Sequence, residues 1–320
     1  MRPLKVVGRI ASGLVGTTLV AVGGFTAYHH IALHEEAAKL EPAGQMVTVE
    51  GHQMSVQVEG PKTKTDDPTI VLIAGAGTAS PIYSFKPLTD RLDHDFRTAV
   101  VERFGYGYSD IVKTDRDVAS VTEDDRQALR LAGEKPPYVL APHSMGGLEA
   151  LYWAQQYPNE VAGIVGLDMA VPHSYDSLDF KGEKRTMDLG RRLKFFGVSR
   201  VMGGDDLTTD LTAYERAQQK MLTQRNFLND SQYAEGLALL DNAATVQAGG
   251  IPDVPMLMFV SNGKEIGDFW VPASTKFAKE AGADLVQLDV GHYVFQYEPD
   301  LIATKTTAFM DAHFEQPAGS

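Results

Sequence analysis

Ser144 lies in Val139-Leu140-Ala141-Pro142-His143-Ser144-Met145-Gly146-Gly147-Leu148, where an apolar strand pattern runs into a serine and then into a helical pattern. This is the sequence form of a nucleophile elbow, a turn that forces the serine into strained backbone and demands small residues on either side. Gly146 and Gly147 meet that demand, while Pro142 stands where a Gly-x-Ser-x-Gly pattern has its first glycine. A serine that merely N-caps a helix after a buried strand has the same local pattern. The rest of the chain separates the two readings, because it supplies the other parts of acyl-transfer chemistry in a matching order.

Acyl transfer needs a nucleophile, a base to take its proton, an acid to hold the base and donors for the oxyanion. The chain has nine histidines. His29, His30 and His34 fall in the N-terminal segment, His52 in a predicted hairpin and His313 in the predicted last helix. His143 adjoins the serine, but its side chain is expected to point away, as a packing residue. His292 follows Gly291 in a loop after the predicted strand Asp284–Leu288, so position and chain order select it as the base.

Three carboxylates compete for the role of acid. Asp168 ends the buried run Gly163-Ile164-Val165-Gly166-Leu167, which sets its carboxylate at the C-terminal edge of the sheet, where it requires a partner. Glu265 and Asp268 follow the next strand. Asp168 is preferred and Glu265 is the main alternative. For the oxyanion, the backbone N–H of Met145 points at the developing charge, and the N–H of Ala76 is the second candidate. Gly75 and Gly77 flank Ala76 and let the backbone approach a substrate. A tight turn without a ligand is the plainer reading of that loop.

The elements that would position these residues alternate. Met46–Val49 and Met54–Val58 read as an opening hairpin around Gly51-His52. Ile70–Ile73, Thr98–Val101, Tyr138–Leu140, Val161–Leu167 and Pro255–Val260 are short continuous apolar runs, as expected of strands buried on both faces. Helical patterns occupy Ser120–Ala132, Leu148–Tyr157 and Ala273–Ala281. The reading is an α/β fold, a mostly parallel, doubly wound sheet. Its alternation breaks over 172–250, where helical segments such as Tyr214–Gln224 and Tyr233–Thr245 suggest a helical cap inserted between core segments 45–171 and 251–316.

These motifs together resemble the α/β-hydrolase superfamily over about Gln45–Phe314. Besides the elbow, Ile73-Ala74-Gly75-Ala76-Gly77 stands where the family often has His-Gly, Glu102-Arg103-Phe104-Gly105-Tyr106-Gly107-Tyr108-Ser109-Asp110 is similar to its Gly-x-Gly-x-Ser turn, and Gly291-His292 is similar to its histidine loop. The resemblance implies hydrolysis of an ester, thioester or amide through Ser144, without a metal or organic cofactor. The family's acid more often follows the later strand, although members with it after the earlier one exist. Dehalogenases and epoxide hydrolases of the superfamily need a carboxylate at the elbow, where this chain has serine.

Composition bounds the partners. At 320 residues the chain can bury one large core with an inserted subdomain. A net charge of −13 disfavours nucleic acid, which needs a basic face. Zero cysteines exclude disulfides, thiolate zinc sites and a cysteine nucleophile. In residues 1–40, Arg2, Lys5 and Arg9 precede Ile10–Tyr28, 19 residues without a charge. This reads as a membrane anchor that puts the catalytic domain on the extracytoplasmic side, the alternative being a signal peptide cleaved near Ala21-Val22-Gly23 to release a secreted enzyme.

The first part of the cap carries Lys181, Lys184, Arg185, Arg191, Arg192, Lys194 and Arg200 among Leu189, Leu193, Phe195 and Phe196. Either its apolar stripe packs on the sheet domain, the preferred reading, or the face lies on anionic headgroups and admits a lipid-like ester. Phe269 and Trp270 are placed either in the pocket or against the last helices. The expected function is a serine esterase or lipase-like enzyme acting on a small-molecule or lipid-like ester. A proline-iminopeptidase-like aminopeptidase is the alternative and needs a cap carboxylate, such as Glu183 or Glu215, near the pocket. A non-catalytic ligand-binding module is the third reading.

Overall fold

The computed structural model describes residues 3–62, 64, 66–202 and 210–314, with side chains from Gly16 onward except that of residue 202. In chain order the elements are α1 (Pro3–Ala37), β1 (Gln45–Val49), β2 (His52–Glu59), β3 (Thr69–Ile73), α2 (Pro81–Leu92), β4 (Thr98–Glu102), α3 (Val118–Leu131), β5 (Tyr138–Ser144), α4 (Gly146–Gln156) and β6 (Val161–Met169). There follow α5 (Phe180–Lys194), α6 (Ser199–Met202), α7 (Ala213–Asn226), α8 (Asp230–Gly249), β7 (Met256–Val260), α9 (Trp270–Ala281), β8 (Asp284–Gln287), α10 (Val294–Tyr297) and α11 (Pro299–Phe314).

The eight strands form one sheet in the order β1-β2-β4-β3-β5-β6-β7-β8. The opening hairpin pairs antiparallel, Val47 opposite Met54, and β2 joins β4 antiparallel, whereas β4-β3-β5-β6-β7-β8 run parallel. Every residue of β3, β4 and β7 is buried, because helices cover both faces of a parallel sheet. One core lies on the side of α3, α4 and α9, with Trp153 and Phe277, and the other on the side of α2, α10 and α11, with Phe85, Phe295 and Phe309. At the edge, β8 is half-exposed.

Helices α5 to α8 lie between β6 and β7, so the expected break over 172–250 is helical where it is described. Side chains cap them: Asp179 accepts from Gly182 N–H, Thr212 and Glu215 form a reciprocal capping box, and Asn229 accepts from Gln232 N–H. The cap's seat is the loop after β4. Asn229 Nδ2 donates to the Gly105 carbonyl at 2.7 Å, Asn226 Nδ2 to the Gly107 carbonyl at 2.8 Å and Arg225 to the carbonyls of Gly107 and Ser109 at 2.9 Å. Gly105, at φ +85°, has room for no side chain, since a Cβ would stand 2.5 Å from Ser231 Cβ.

Two expectations change here. Among the described residues no helix is long and apolar enough to cross a membrane, so the structure gives the predicted anchor no support. Ile10–Val15 of that segment fall outside the residues whose side chains are described. The end of α1 is committed to protein instead: His29 is buried, Arg200 donates to His29 Nδ1 at 2.9 Å and to Glu36 at 2.8 and 2.7 Å, and the His30 ring meets Phe195. The apolar stripe of α5 does not pack on the sheet domain as expected. No residue of α5 is buried, and Leu189, Leu193, Phe195 and Phe196 are exposed, while Arg191 and Lys184 are taken up by Asp230 and Asp188.

Candidate active site

Ser144 ends β5 in the left-handed region, at φ +50°, a conformation that costs a non-glycine residue roughly 1–3 kcal/mol. The surroundings hold it there. Its carbonyl accepts the Ala170 N–H at 2.8 Å, and the ladder between β5 and β6 shifts register at His143/Ser144. A Cβ on Gly147 would stand 2.1 Å from the Ala170 carbonyl oxygen, and one on Gly146 2.9 Å from that of Ala74. On the other side, a Cβ on Gly75 would be 2.6 Å from Ser144 Cβ. The close approach is therefore made by Gly75, Gly146 and Gly147. Pro142 is accommodated inside β5, opposite Ile73.

Met145 is the N-cap of α4, so its N–H belongs to the head of a helix, where the first amides lack intrahelical acceptors and favour negative charge. Ala76 is exposed in the loop after β3, on the same C-terminal edge of the sheet.

Asp168 is fully buried at the end of β6, at φ +52°. Its Oδ1 accepts from Ser261 N–H at 2.9 Å and from Trp270 Nε1–H at 2.7 Å, and its Oδ2 lies 2.7 Å from His292 Nδ1. A carboxylate so placed accepts a hydrogen bond from Nδ1–H, which leaves Nε2 as the free, basic nitrogen of the ring. The ring of His143, whose chain neighbour is Ser144, lies with its centroid 4.5 Å from that of His292, so the imidazole stands at the elbow.

Glu265 occupies a different place: its Oε2 accepts the backbone N–H of His292 at 2.8 Å. A Cβ on Gly291 would fall 2.3 Å from Glu265 Oε1, so glycine at 291 is what lets the carboxylate reach the loop. Asp268 is exposed. His143 is a buried packing residue whose Nε2 meets the His292 carbonyl at 3.2 Å. Burial, and then the neighbouring His292 charge, hold its pKa well below the ordinary value, so it stays neutral.

Trp270 Nε1–H donates to Asp168 Oδ1, while Phe269 is exposed at the head of α9. The structure also brings forward residues that the sequence reading left out. Beneath the elbow, Arg103, Arg116, Glu149 and Glu235 line a small chamber beside Met145. Glu235, from α8, is the buried cap carboxylate nearest the elbow, and it is bound by Arg103 at 3.1 Å and by the Tyr106 hydroxyl at 2.8 Å. Glu183 is exposed in the first turn of α5, and Glu215 is held by Thr212 and Lys86. The only signal for this cluster in the sequence is the Glu102–Asp110 motif, whose arginine sequence reasoning gave no task.

A family model for the alpha/beta hydrolase fold matches residues 68–245. The chain is 33% identical over 321 residues to the uncharacterized protein YbdG of Bacillus subtilis strain 168, covering 96% of this chain and 97% of the relative. Solved structures similar to it include a thermophilic esterase from Thermogutta terrifontis, with TM-score 0.64, 18% identity and coverage of 85% of this chain and 100% of the other. A carboxylesterase from the thaumarchaeon Nitrososphaera gargenis gives TM-score 0.63 at 18% identity over 84% of this chain and 98% of its own. An epoxide hydrolase from Bacillus megaterium gives 0.62 at 16% over 83% and 100%. The chain belongs to the alpha/beta hydrolase family. The solved structures, all under a quarter identical, share its fold.

Proposed function

We propose that the protein is a serine hydrolase that cleaves a carboxylic ester through an acyl-enzyme, with Ser144 as nucleophile, His292 as base and Asp168 as acid. The observation that carries this reading is the 2.7 Å contact between His292 Nδ1 and Asp168 Oδ2, beside a serine held in left-handed backbone at a strand-to-helix turn. Esterases among the proteins of similar fold support it.

Ser144 Oγ attacks the ester carbonyl carbon as His292 Nε2 takes the hydroxyl proton, and Asp168 stabilises the imidazolium that forms. The carbonyl oxygen becomes an oxyanion facing the N–H groups of Met145 and Ala76, each such donor typically worth about 3 kcal/mol in the transition state. The imidazolium then returns its proton to the departing alkoxide oxygen. Water repeats the attack on the acyl-enzyme, with the same nitrogen as base, and releases the acid. The aminopeptidase reading calls for a cap carboxylate open to an amine. Glu235 is instead occupied by a guanidinium and a phenol, which favours the ester.

The test is labelling of the purified protein with a fluorophosphonate probe, alongside hydrolysis of a short p-nitrophenyl ester and of a proline amide. Labelling and ester turnover that vanish in Ser144→Ala and His292→Ala support the proposal. A folded wild type that neither labels nor turns over the ester removes it, and release of proline in preference to ester cleavage replaces it with the peptidase reading.

A further inference from the structure

We propose that Arg103 is a positioning residue that sets the oxyanion loop, and that Glu235 on α8 transmits the seating of the cap to it. The inference rests on the ester-hydrolase reading above. Arg103 and Glu235 are both buried, at 3% and 2% exposure. The Arg103 Nη1–H group donates to the carbonyl of Ala74 at 2.7 Å, and its Nε–H group donates to both oxygens of Glu235 at 3.1 and 3.2 Å. Its guanidinium lies 4.1 Å over the ring of Tyr106, whose hydroxyl also donates to Glu235, at 2.8 Å.

The start of the loop Ala74–Gly77 is thus held by a guanidinium that also binds a carboxylate, and that carboxylate belongs to the cap. Because the peptide is planar, fixing the Ala74 carbonyl also fixes the direction of the Gly75 N–H, one peptide before the Ala76 N–H assigned to the oxyanion. The first half of the loop packs against the elbow, where a Cβ on Gly75 would stand 2.6 Å from Ser144 Cβ, whereas Ala76 is exposed and a Cβ on Gly77 would meet nothing within 4 Å. The Arg103 bond fixes the carbonyl from which the exposed half departs. Arg103 also stands 3.9 Å from Glu149 on α4, the helix headed by Met145, so one guanidinium adjoins the supports of both oxyanion donors. Burial opposes the charge on Arg103, but Glu235, Tyr106 and Glu149 more than offset it and keep the guanidinium protonated. Lysine, a single compact charge, lacks the planar fork that serves a carbonyl and a carboxylate at once.

A cap that lifts from its seat carries Glu235 away and loosens the Arg103 grip on Ala74. Misplacement of a reacting group by about 1 Å can cost about 10²-fold in rate, so ester turnover becomes conditional on the cap being seated.

The test uses the full chain with Arg103→Lys, Glu235→Gln and the double variant Arg103→Met/Glu235→Met, which removes both buried charges and so leaves neither unpaired. Turnover of p-nitrophenyl acetate, inhibition by a trifluoromethyl ketone that mimics the tetrahedral intermediate, and melting temperature are measured for each. The expected result is a fall in kcat of about 10- to 100-fold with KM nearly unchanged, and ketone inhibition weakened in proportion, in the double variant as well as in the single ones. Variants that lose melting temperature alone, or a double variant with wild-type kcat, overturn the positioning role and leave the esterase standing. A wild type that neither hydrolyses the ester nor binds the ketone overturns the ester reading and this inference with it.

Discussion

The Glu265 carboxylate accepts the backbone N–H of His292 at 2.8 Å, while the ring of the same histidine faces another acid, Asp168, at 2.7 Å. One carboxylate fixes the loop that carries the histidine, and the other orients its ring. The two tasks predict different penalties. Asp168→Asn is expected to lower kcat by about 10⁴-fold, the size of effect that follows when a triad histidine is held in the wrong tautomer. Glu265→Gln keeps an acceptor for the His292 N–H and is expected to lose about tenfold or less, since a neutral acceptor forms a weaker bond than a charged one. Turnover of p-nitrophenyl acetate by variants matched for folding by circular dichroism checks the ranking, which fails if Glu265→Gln is the more damaging change.

Trp270 Nε1–H donates to Asp168 Oδ1, at 2.7 Å. Trp270→Phe keeps an aromatic ring against the sheet but takes that donor away. A hydrogen bond to a charged group is worth about 1.5–3 kcal/mol, and about 1.4 kcal/mol is a factor of ten in rate. The expected loss is about 10- to 100-fold in kcat with KM little changed. Steady-state kinetics on the same ester measure it, and a variant altered in KM alone would show that Trp270 lines the substrate pocket instead.

Gly147 is set by the approach of α4 to the strand beyond it, where a Cβ would lie 2.1 Å from the Ala170 carbonyl oxygen. Neither partner can yield cheaply, since the obstacle is backbone. Gly147→Ala is expected to destabilise the fold by about 1–3 kcal/mol and, by moving Ala170 away from the Ser144 carbonyl that its N–H binds, to reduce fluorophosphonate labelling. Gly133→Ala, in a turn where a Cβ would meet nothing, carries only the backbone strain of its φ of +91° and is expected to leave labelling intact. Chemical denaturation and labelling rates compare the two.

His143 gives the fold a dependence on pH. Burial first, and the charge of His292 second, hold its folded pKa below that of the unfolded chain. The contribution to stability is therefore complete above the unfolded value of about 6.5 and is lost as pH falls from there toward the folded pKa. His143→Gln, which retains a donor for the His292 carbonyl, is expected to have a melting temperature that falls less than that of the wild type between pH 7 and pH 5. Parallel curves for the two proteins would assign the acid limb to other groups.

Much of the frame could be read from the sequence, because each central strand contains a short run of apolar residues with no polar interruption, as in Ile70-Val71-Leu72-Ile73 and Pro255–Val260. The serine, the histidine and the preferred aspartate stand together at one edge because each ends or follows such a run. Helix α2 was not legible: Pro81 and Pro87 break its pattern, although Pro81 occupies the first turn, where its missing N–H costs nothing. The role of Glu265 was ambiguous because a carboxylate that binds a backbone amide has the same spacing as one that binds a ring. The Arg103–Glu235 contact spans 132 positions, and no local pattern announces a bond between a strand-end loop and a helix of the cap. The charge-free stretch Ile10–Tyr28 reads as a membrane span by hydropathy, and among the described residues no helix is long and apolar enough to cross a membrane.

The order in which the chain is made gives the partners of Asp168 a further meaning. Ser261, Trp270 and His292 lie 93, 102 and 124 residues beyond it. During synthesis the aspartate leaves the ribosome with all of its companions unmade, and an unpartnered carboxylate stays in water rather than enter an apolar core. A nascent chain halted within 172–250 carries Ser144 and Asp168 before Ser261, Trp270 and His292 exist to bind that carboxylate.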